Sequence, residues 1–471
     1  MDNDFRHKII IEPVHGDIGL SKLETELIDT PTFQRLKGIK QLGFAHVVYP
    51  SAKHTRFEHS LGVMHIMSRI LESFRSKSKG EKKITDEDFQ KLRVAALLHD
   101  IGHYPYSHLM EKIDWGESQK YIKKKGIEES PGNSIPKRYP KHARLGEIVI
   151  TERTDIKEKL KKHDIDPADI AALVKGEHET IPNLLSASLD VDRLDYLLRD
   201  SLNTGLPYGR VDLNYIVNNL ELTDENEIVI HAKARNSAEH MLMARYFMFN
   251  TVYMHKTVFA FEEIVRKIIF SLWEKGRIYK SGDEIEEMAR VNSGEFLHFD
   301  DGYLDKLIDK YANNKREKKL ATLCEAVKLR KPPKLVYEIA ELKRDDDNPS
   351  AQYTLLKRGW SGKVKQFVDE FNIPQEHWIF RDIKGPDFEK VNPFLSLAEA
   401  RELKGSNEQE IRELVKLREQ SGEIINLVED TSSILHHLSR LKLMLCRLYA
   451  VGIDDTKAEQ IRRKIDAWMQ S

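Results

Sequence analysis

Cysteine is nearly absent: 471 residues contain two, Cys324 and Cys446, far apart and in unrelated contexts. That excludes a disulfide framework and a cysteine-type zinc site, and it fits a reducing compartment. An excess of charge is also missing, with 75 Lys plus Arg against 76 Asp plus Glu and a formal net charge of -1. A globally basic nucleic-acid coat and an acidic disordered tail are therefore excluded, although a local basic cleft is not. No run approaches the ~18 apolar residues of a spanning helix. The acidic start Met1-Asp2-Asn3-Asp4 has no apolar stretch behind it, so a cytoplasmic protein without membrane contact is expected. Internal repeats and long low-complexity tracts are lacking as well. Histidine, in contrast, is plentiful at 19 residues, and several of the 19 fall in short clusters with acidic neighbours.

Apolar residues recur at three- and four-residue spacing in 57–74, 89–98, 186–198 and 238–273, which predicts a mainly α core over residues 1–330. The stretch 112–141 breaks the pattern with Lys123-Lys124-Lys125, Pro131-Gly132-Asn133 and Pro136, and reads as an exposed loop insertion. Residues 221–233 alternate after the polar run Thr223-Asp224-Glu225-Asn226, which predicts a small β-ribbon. From Lys331-Pro332-Pro333 onward, short β-like runs at 335–339, 378–380 and 422–427 predict a C-terminal mixed α/β lobe over 331–471. Within it, 431–448 reads as an amphipathic helix and 454–469 as a charged terminal helix.

The run Arg93-Val94-Ala95-Ala96-Leu97-Leu98 ends abruptly in His99-Asp100-Ile101-Gly102-His103. A neutral imidazole beside a carboxylate suits a first-row divalent cation. Taken alone, the pair reads more readily as a buried histidine with a capping aspartate. It is not alone: Arg56-Phe57-Glu58-His59-Ser60 opens a helix upstream, and 189–196 places acidic residues on another downstream. One ion could take His59, His99, Asp100 and Asp192, with positions left for water and substrate. Asp192, Tyr196 and Asp200 recur at intervals of four and so share a helix face; the alternative is a solvated charged face.

In these residues the chain resembles the HD-superfamily deoxynucleoside triphosphate triphosphohydrolases, particularly the branch containing the sterile-alpha-motif and HD-domain protein. The likeness runs through Asp29-Thr30-Pro31-Thr32-Phe33-Gln34-Arg35-Leu36, Ile39-Lys40-Gln41-Leu42-Gly43, Arg56 to Val63, His99 to His103, Ser107-His108 and Asp190 to Asp200, and it covers roughly 10–256. It implies an HD-type helical core. His59, His99, Asp100 and Asp192 match the family's metal ligands, for iron, manganese, zinc or magnesium, with further magnesium on the substrate phosphates. His103, His108 and His142 match catalytic histidines. Arg56, Arg193 and Arg245 match residues on the phosphates; at Arg193 the nearest relatives carry Lys. Gln41, Leu42, Tyr196 and Asp200 match the sugar-side contacts, and Tyr253 the aromatic at the 2′ position, an assignment that competes with plain core packing. His15 and His255 lie in matching segments without an assigned chemistry.

The implied reaction is hydrolysis of a dNTP to deoxynucleoside and intact triphosphate, by a homo-dimer or homo-tetramer. Chemically, a bound divalent ion supplies hydroxide near neutral pH, arginines neutralise the phosphates, and an imidazole such as His108 protonates the departing 5′-oxygen. The HD-type region begins almost at residue 1, so no sterile-alpha-motif module is expected. A nucleotide activator is open, because the corresponding segments read Ile9-Ile10-Ile11-Glu12, Asp17 and Lys37. Two other readings remain: an HD phosphohydrolase acting on a different nucleotide phosphoester, and a single-stranded nucleic-acid-binding or nuclease protein using basic surface such as 123–125.

Overall fold

The computed structural model describes residues 7–77, 84–111, 139–178, 184–185, 189–224, 227–279, 281–314, 316–344, 347–383, 415–427, 429–438 and 441–470. The protein is mainly α with small β elements. It divides into two compact units, 1–234 with 269–305 and 235–268 with 306–471, so the boundary expected at 330 falls inside the second unit. The expected insertion lies almost wholly outside the described residues.

In the first unit, strands β1 (Lys8–Glu12) and β2 (Gly16–Leu20) form an antiparallel hairpin that pairs Lys8 with Leu20 and Glu12 with Gly16. Gly16 takes φ 73°, the left-handed conformation that closes the turn. Helix α1 (Lys22–Ile28) starts at a capping box, in which Ser21 receives the Glu24 amide and Glu24 receives the Ser21 amide. Helix α2 (Arg56–Lys77) runs through the middle of the unit. It buries Leu61, Val63, Met64, Ile66, Met67, Ile70, Leu71 and Phe74, each worth about 1.5–3 kcal/mol when fully removed from water. Helix α3 (Asp86–Leu98) begins at a second capping box, Thr85 with Asp88, and its last five residues, Val94 to Leu98, are all buried. Further helices include α4 (His142–Glu152), α5 (Thr154–Lys162), α6 (Pro167–Lys175), α7 (Val191–Thr204) and α8 (Leu213–Asn219). Strands β3 (Leu220–Leu222) and β4 (Ile228–His231) pair antiparallel as the ribbon predicted from the alternation. Helices α3 and α7 both pack on α2, which brings the end of α3 and the first turns of α7 to the start of α2.

The second unit contains α9 (Arg235–Met248) and a π-helical turn Phe249–Tyr253. Its three-stranded sheet orders β5 (Lys334–Arg344), β9 (Leu441–Ala450) and β6 (Trp378–Ile383), antiparallel throughout, and β7 (Lys416–Arg418) pairs antiparallel with β8 (Ile424–Asn426). Helices α10 (Ala351–Phe371) and α11 (Asp455–Gln470) contribute Trp360, Phe367, Ile461 and Ile465 to a core with Val336, Trp378 and Leu448. The helix expected over 431–448 is corrected here: among the described residues of that span only Ile434–Leu438 is helical, and Leu441–Ala450 is the central strand. Leu, Met, Lys and Arg favour helix locally, but pairing on both edges and burial of Met444, Leu445, Cys446, Leu448 and Tyr449 override that preference.

Candidate active site

The loop after α3 is fixed before any chemistry is considered. Arg35, fully inside the unit, donates from Nε to Phe299 O at 2.9 Å and from Nη2 to His103 O at 2.6 Å, so the first matching motif supplies a strut for the His99–His103 turn. Tyr106 and Ser107 sit at φ 54° and 58°, where side-chain-bearing residues cost about 1–3 kcal/mol each. They are held there by Asp301 Oδ1, which receives the Tyr106 amide at 2.6 Å, by Phe44 stacked on Tyr106, and by the Ser107 hydroxyl donating to Lys40 O at 2.9 Å. The strained turn places His103 and His108 with ring centroids 4.8 Å apart. Gly102 allows the start of α4 to reach the same place. A Cβ there would lie 2.2 Å from Gly146 N and 2.3 Å from His142 O.

Two groups of ligand-type side chains result. In the first, one ligand atom each from His59, His99 and Asp100 lies within 4.8 Å of the others. Asp192 joins them, its Oδ1 standing 2.9 Å from His59 Nε2 and 4.0 Å from His99 Nε2. The two imidazoles are wired alike. His99 Nδ1 donates to Ala96 O at 2.8 Å, and His59 Nδ1 donates to Asp195 Oδ2 at 2.7 Å. Each partner can only accept, so each ring turns a lone pair at Nε2 toward the carboxylates. Both Nε2 atoms are buried and make no hydrogen bond. Burial pushes His59 down, but Asp192 and Asp195 outweigh it and raise the imidazole to about 10. The surroundings thus favour positive charge at this point, and a divalent cation is a carrier of such charge that two neutral imidazoles and two carboxylates fit. Burial likewise opposes charge on Asp100, yet Arg56, His99 and His103 hold its carboxyl well below the usual range.

In the second group, His103, His108, Glu111 and His142 also bring ligand-type atoms within 4.8 Å. Here the wiring differs. Glu111 Oε1 accepts from His142 Nδ1 at 2.9 Å and from the His142 amide, and Oε2 lies 3.7 Å from His108 Nδ1. His142 stacks on His103 at 4.1 Å, and His108 stands edge-on to both. Burial pushes His142 down, but the Glu111 hydrogen bond and charge raise it overall. Burial lowers His108, with Glu111 opposing, and nearly half of its side chain stays accessible. Burial and the nearby Arg56 hold His103 well below its ordinary value, although Asp100 Oδ1 stands 3.0 Å from its Nε2 and opposes them. This wiring favours the proton on His142 over His103 and His108.

The other sequence candidates divide. Arg56 is buried, donating to Asp100 Oδ2 at 2.5 Å and to Ser107 Oγ at 3.0 Å, so it serves the site's own carboxylate. Arg193 lies 3.5 Å from Asp190, whose carboxylate caps α7. Asp200 receives His54 Nε2 at 2.8 Å, and Gln41 hydrogen-bonds through its amide to His54 O at 3.0 Å with its own side-chain Oε1 buried and unbonded. Leu42 caps the short helical turn Gly43–Val47, and Tyr196 is half-buried on α7. Arg245 in α9 and Tyr253 in the π-helical turn belong to the second unit. Sequence reasoning assigns no role to Glu111, Ser107 or Asp195; for Glu111 the only signal is its three-residue spacing from His108.

Comparison with known proteins now adds a family. The HD domain family matches residues 56–200, and the HD associated region matches 211–331. The chain carries an HD domain followed by an HD-associated region. It resembles the HD-superfamily deoxynucleoside triphosphate triphosphohydrolases. An uncharacterized protein of Methanocaldococcus jannaschii is 36% identical over 307 residues, 64% of this chain and 58% of that one. The protein named deoxynucleoside triphosphate triphosphohydrolase SAMHD1 from Bos taurus is 33% identical over 218 residues, 42% of this chain and 36% of that one. The matches thus span only about half of the first two curated relatives, 58% and 55%. A crystal structure of a phosphohydrolase from Bacteroides thetaiotaomicron shares the fold, with TM-score 0.66 at 24% identity over 95% of this chain and all of that one. No helix among the described residues is long and apolar enough to cross a membrane.

Proposed function

We propose that the protein is a metal-dependent phosphohydrolase that cleaves deoxynucleoside triphosphates at the α-phosphorus, giving deoxynucleoside and intact triphosphate. The observation that carries it is the pair of imidazoles, His59 and His99, whose Nδ1 atoms are committed elsewhere while their Nε2 atoms meet Asp100 and Asp192 beside a separate proton-holding cluster. His59, His99, Asp100 and Asp192 would hold one divalent ion, of iron, manganese, zinc or magnesium. When bound, it lowers the pKa of water toward neutrality and polarises a phosphoryl oxygen. Arg56 keeps Asp100 ionised and oriented. As the bond between the α-phosphorus and O5′ breaks, O5′ needs a proton. His142 retains one through Glu111, and Glu111 also faces His108, the more accessible ring, so the pair can deliver it. His103, kept neutral, shields Asp100 with an Nε2 contact of 3.0 Å.

The resemblance assigns Arg193 to the phosphates and Gln41, Leu42, Tyr196 and Asp200 to the sugar; for the second unit it assigns Arg245 to the phosphates and Tyr253 to the 2′ position. The buried unbonded Gln41 Oε1 and the His54-held Asp200 suit a ligand hydroxyl. Homo-oligomeric assembly and a nucleotide activator belong to the same reading. The test is to load the protein with manganese and incubate it with each dNTP and NTP, singly and mixed, separating products by anion exchange. Deoxynucleoside with intact triphosphate is the expected pair. Turnover only of another phosphoester, or salt-dependent binding of single strands without turnover, would replace this reading by one of the two others.

A further inference from the structure

Behind His59 lies a buried network that the reaction does not consume. Asp195, fully buried on α7, receives four donors on its two oxygens: His59 Nδ1 at 2.7 Å and Arg199 Nε at 2.8 Å on Oδ2, His15 Nε2 at 2.6 Å and Arg199 Nη2 at 2.9 Å on Oδ1. That matches the roughly four acceptor sites of a carboxylate. Arg199 is itself anchored by Glu12 Oε1, and the other Glu12 oxygen receives the amides of Val14 at 2.8 Å and His15 at 2.9 Å. Glu12 and His15 come from the β1–β2 hairpin, 180 or more positions from their partners on α7. The space for this network is reserved by Gly62, one turn beyond His59 on α2: a Cβ there would lie 1.9 Å from Asp195 Oδ1 and 2.5 Å from Arg199 Nη2.

We infer that Asp195 is a positioning residue for the ion site and that the N-terminal hairpin, through His15 and Glu12, is a working part of that site. The inference rests on the reading of His59 as an ion ligand. Its content is geometric. A carboxylate with four fixed donors cannot rotate, so the His59 ring cannot turn about its axis or exchange its Nδ1 proton for one on Nε2. The lone pair at Nε2 is thereby aimed before any ion arrives. Loss of His15 removes one of the two donors on Asp195 Oδ1, leaves Arg199 Nη2 alone on that oxygen, and so loosens the carboxylate and the ring together. Partners of this kind typically change ion affinity by about 10- to 100-fold. By linkage, an ion bound at His59 also restrains the hairpin to the same degree.

The test uses the full chain substituted with cobalt(II), whose visible absorption reports ligand geometry, and titrates it against a competing chelator. His15→Ala is expected to lose about 10- to 100-fold in ion affinity and to change the cobalt spectrum, with far-UV circular dichroism unchanged. His15→Gln keeps a donor toward Asp195 and is expected to restore most of the affinity, which a general packing defect would not do. Hydrogen exchange in residues 8–20 is expected to slow when the ion binds to the wild type and to respond less in His15→Ala. Asp195→Asn is the stronger lesion; should it fail to fold, the two His15 variants carry the test. Wild-type protein that takes up cobalt while His15→Ala binds it equally well, with the same spectrum, would overturn this inference and leave the ion site standing. Wild-type protein that binds no ion, or binds it unchanged after His59→Ala, would overturn both.

Discussion

The two histidine clusters are built from the same residue type a few ångströms apart and differ in what stands behind each ring. His59 and His99 give their Nδ1 protons to acceptors outside the site and present bare Nε2 atoms inward. His142 and His108 instead face an acid, Glu111, which holds a proton on the pair. On the proposed reading, second partners, more than identity or burial, separate a ligand from an acid. The comparison predicts that lesions in one cluster leave the other's property intact.

The largest effect is expected from His99→Ala/Asp100→Ala. Removing the ion forfeits several kcal/mol of charge stabilisation, so activity should fall by on the order of 10³-fold or more, with metal content dropping in parallel by elemental analysis. Glu111→Gln should break only the other side. Catalysis is expected to fall by roughly 10²-fold with metal content unchanged. Glu111 raises His142, so without it His142 loses its proton at lower pH, and the alkaline limb of the kcat profile should move to lower pH. An unmoved alkaline limb would remove Glu111 from the proton path.

Gly102→Ala sharpens the comparison by separating the clusters. Its methyl group would collide with the backbone of Gly146 and the carbonyl of His142, forcing α4 away at a cost of about 1–3 kcal/mol. A lower Tm and a lower kcat with retained metal are expected; wild-type kcat would show that the stacking of His142 on His103 is incidental. The smallest effect concerns His65, beside His15 and outside both clusters, pushed down by burial to about 4. The unfolded chain binds that proton nearer pH 6.5, so stability is full above that value and is lost as pH falls toward 4. After allowance for solvent at a partly exposed ring, about 2 kcal/mol should disappear in this window, and His65→Gln should flatten it in urea titrations.

Much of the helical core could be read from spacing alone, because α2 and α3 bury residues at three- and four-residue intervals and their ends carry the histidines. The strand Leu441–Ala450 could not: buried along most of its described length, it shows no alternation, and its Leu, Met, Lys and Arg favour helix until two neighbouring strands claim its backbone. The His99-Asp100 pair was legible through its company, since it ends an apolar helical run and is joined by His59 and the acidic segment 189–196, whereas the same dipeptide at His163-Asp164 carried no such signal. Glu111 was not, being one acid among 76 Asp and Glu and 31 residues from the His142 it serves. Asp195 was visible only as part of an acidic cluster; its bond to His59 exists because α7 packs on α2, which no local pattern encodes.

The most direct measurement is product analysis of the manganese-loaded protein with deoxynucleoside triphosphates, beside the His99→Ala/Asp100→Ala control. Deoxynucleoside and intact triphosphate from the wild type, and neither from the control, is the expected result. Metal bound at His59 and His99 with no triphosphate released from any nucleotide would contradict it.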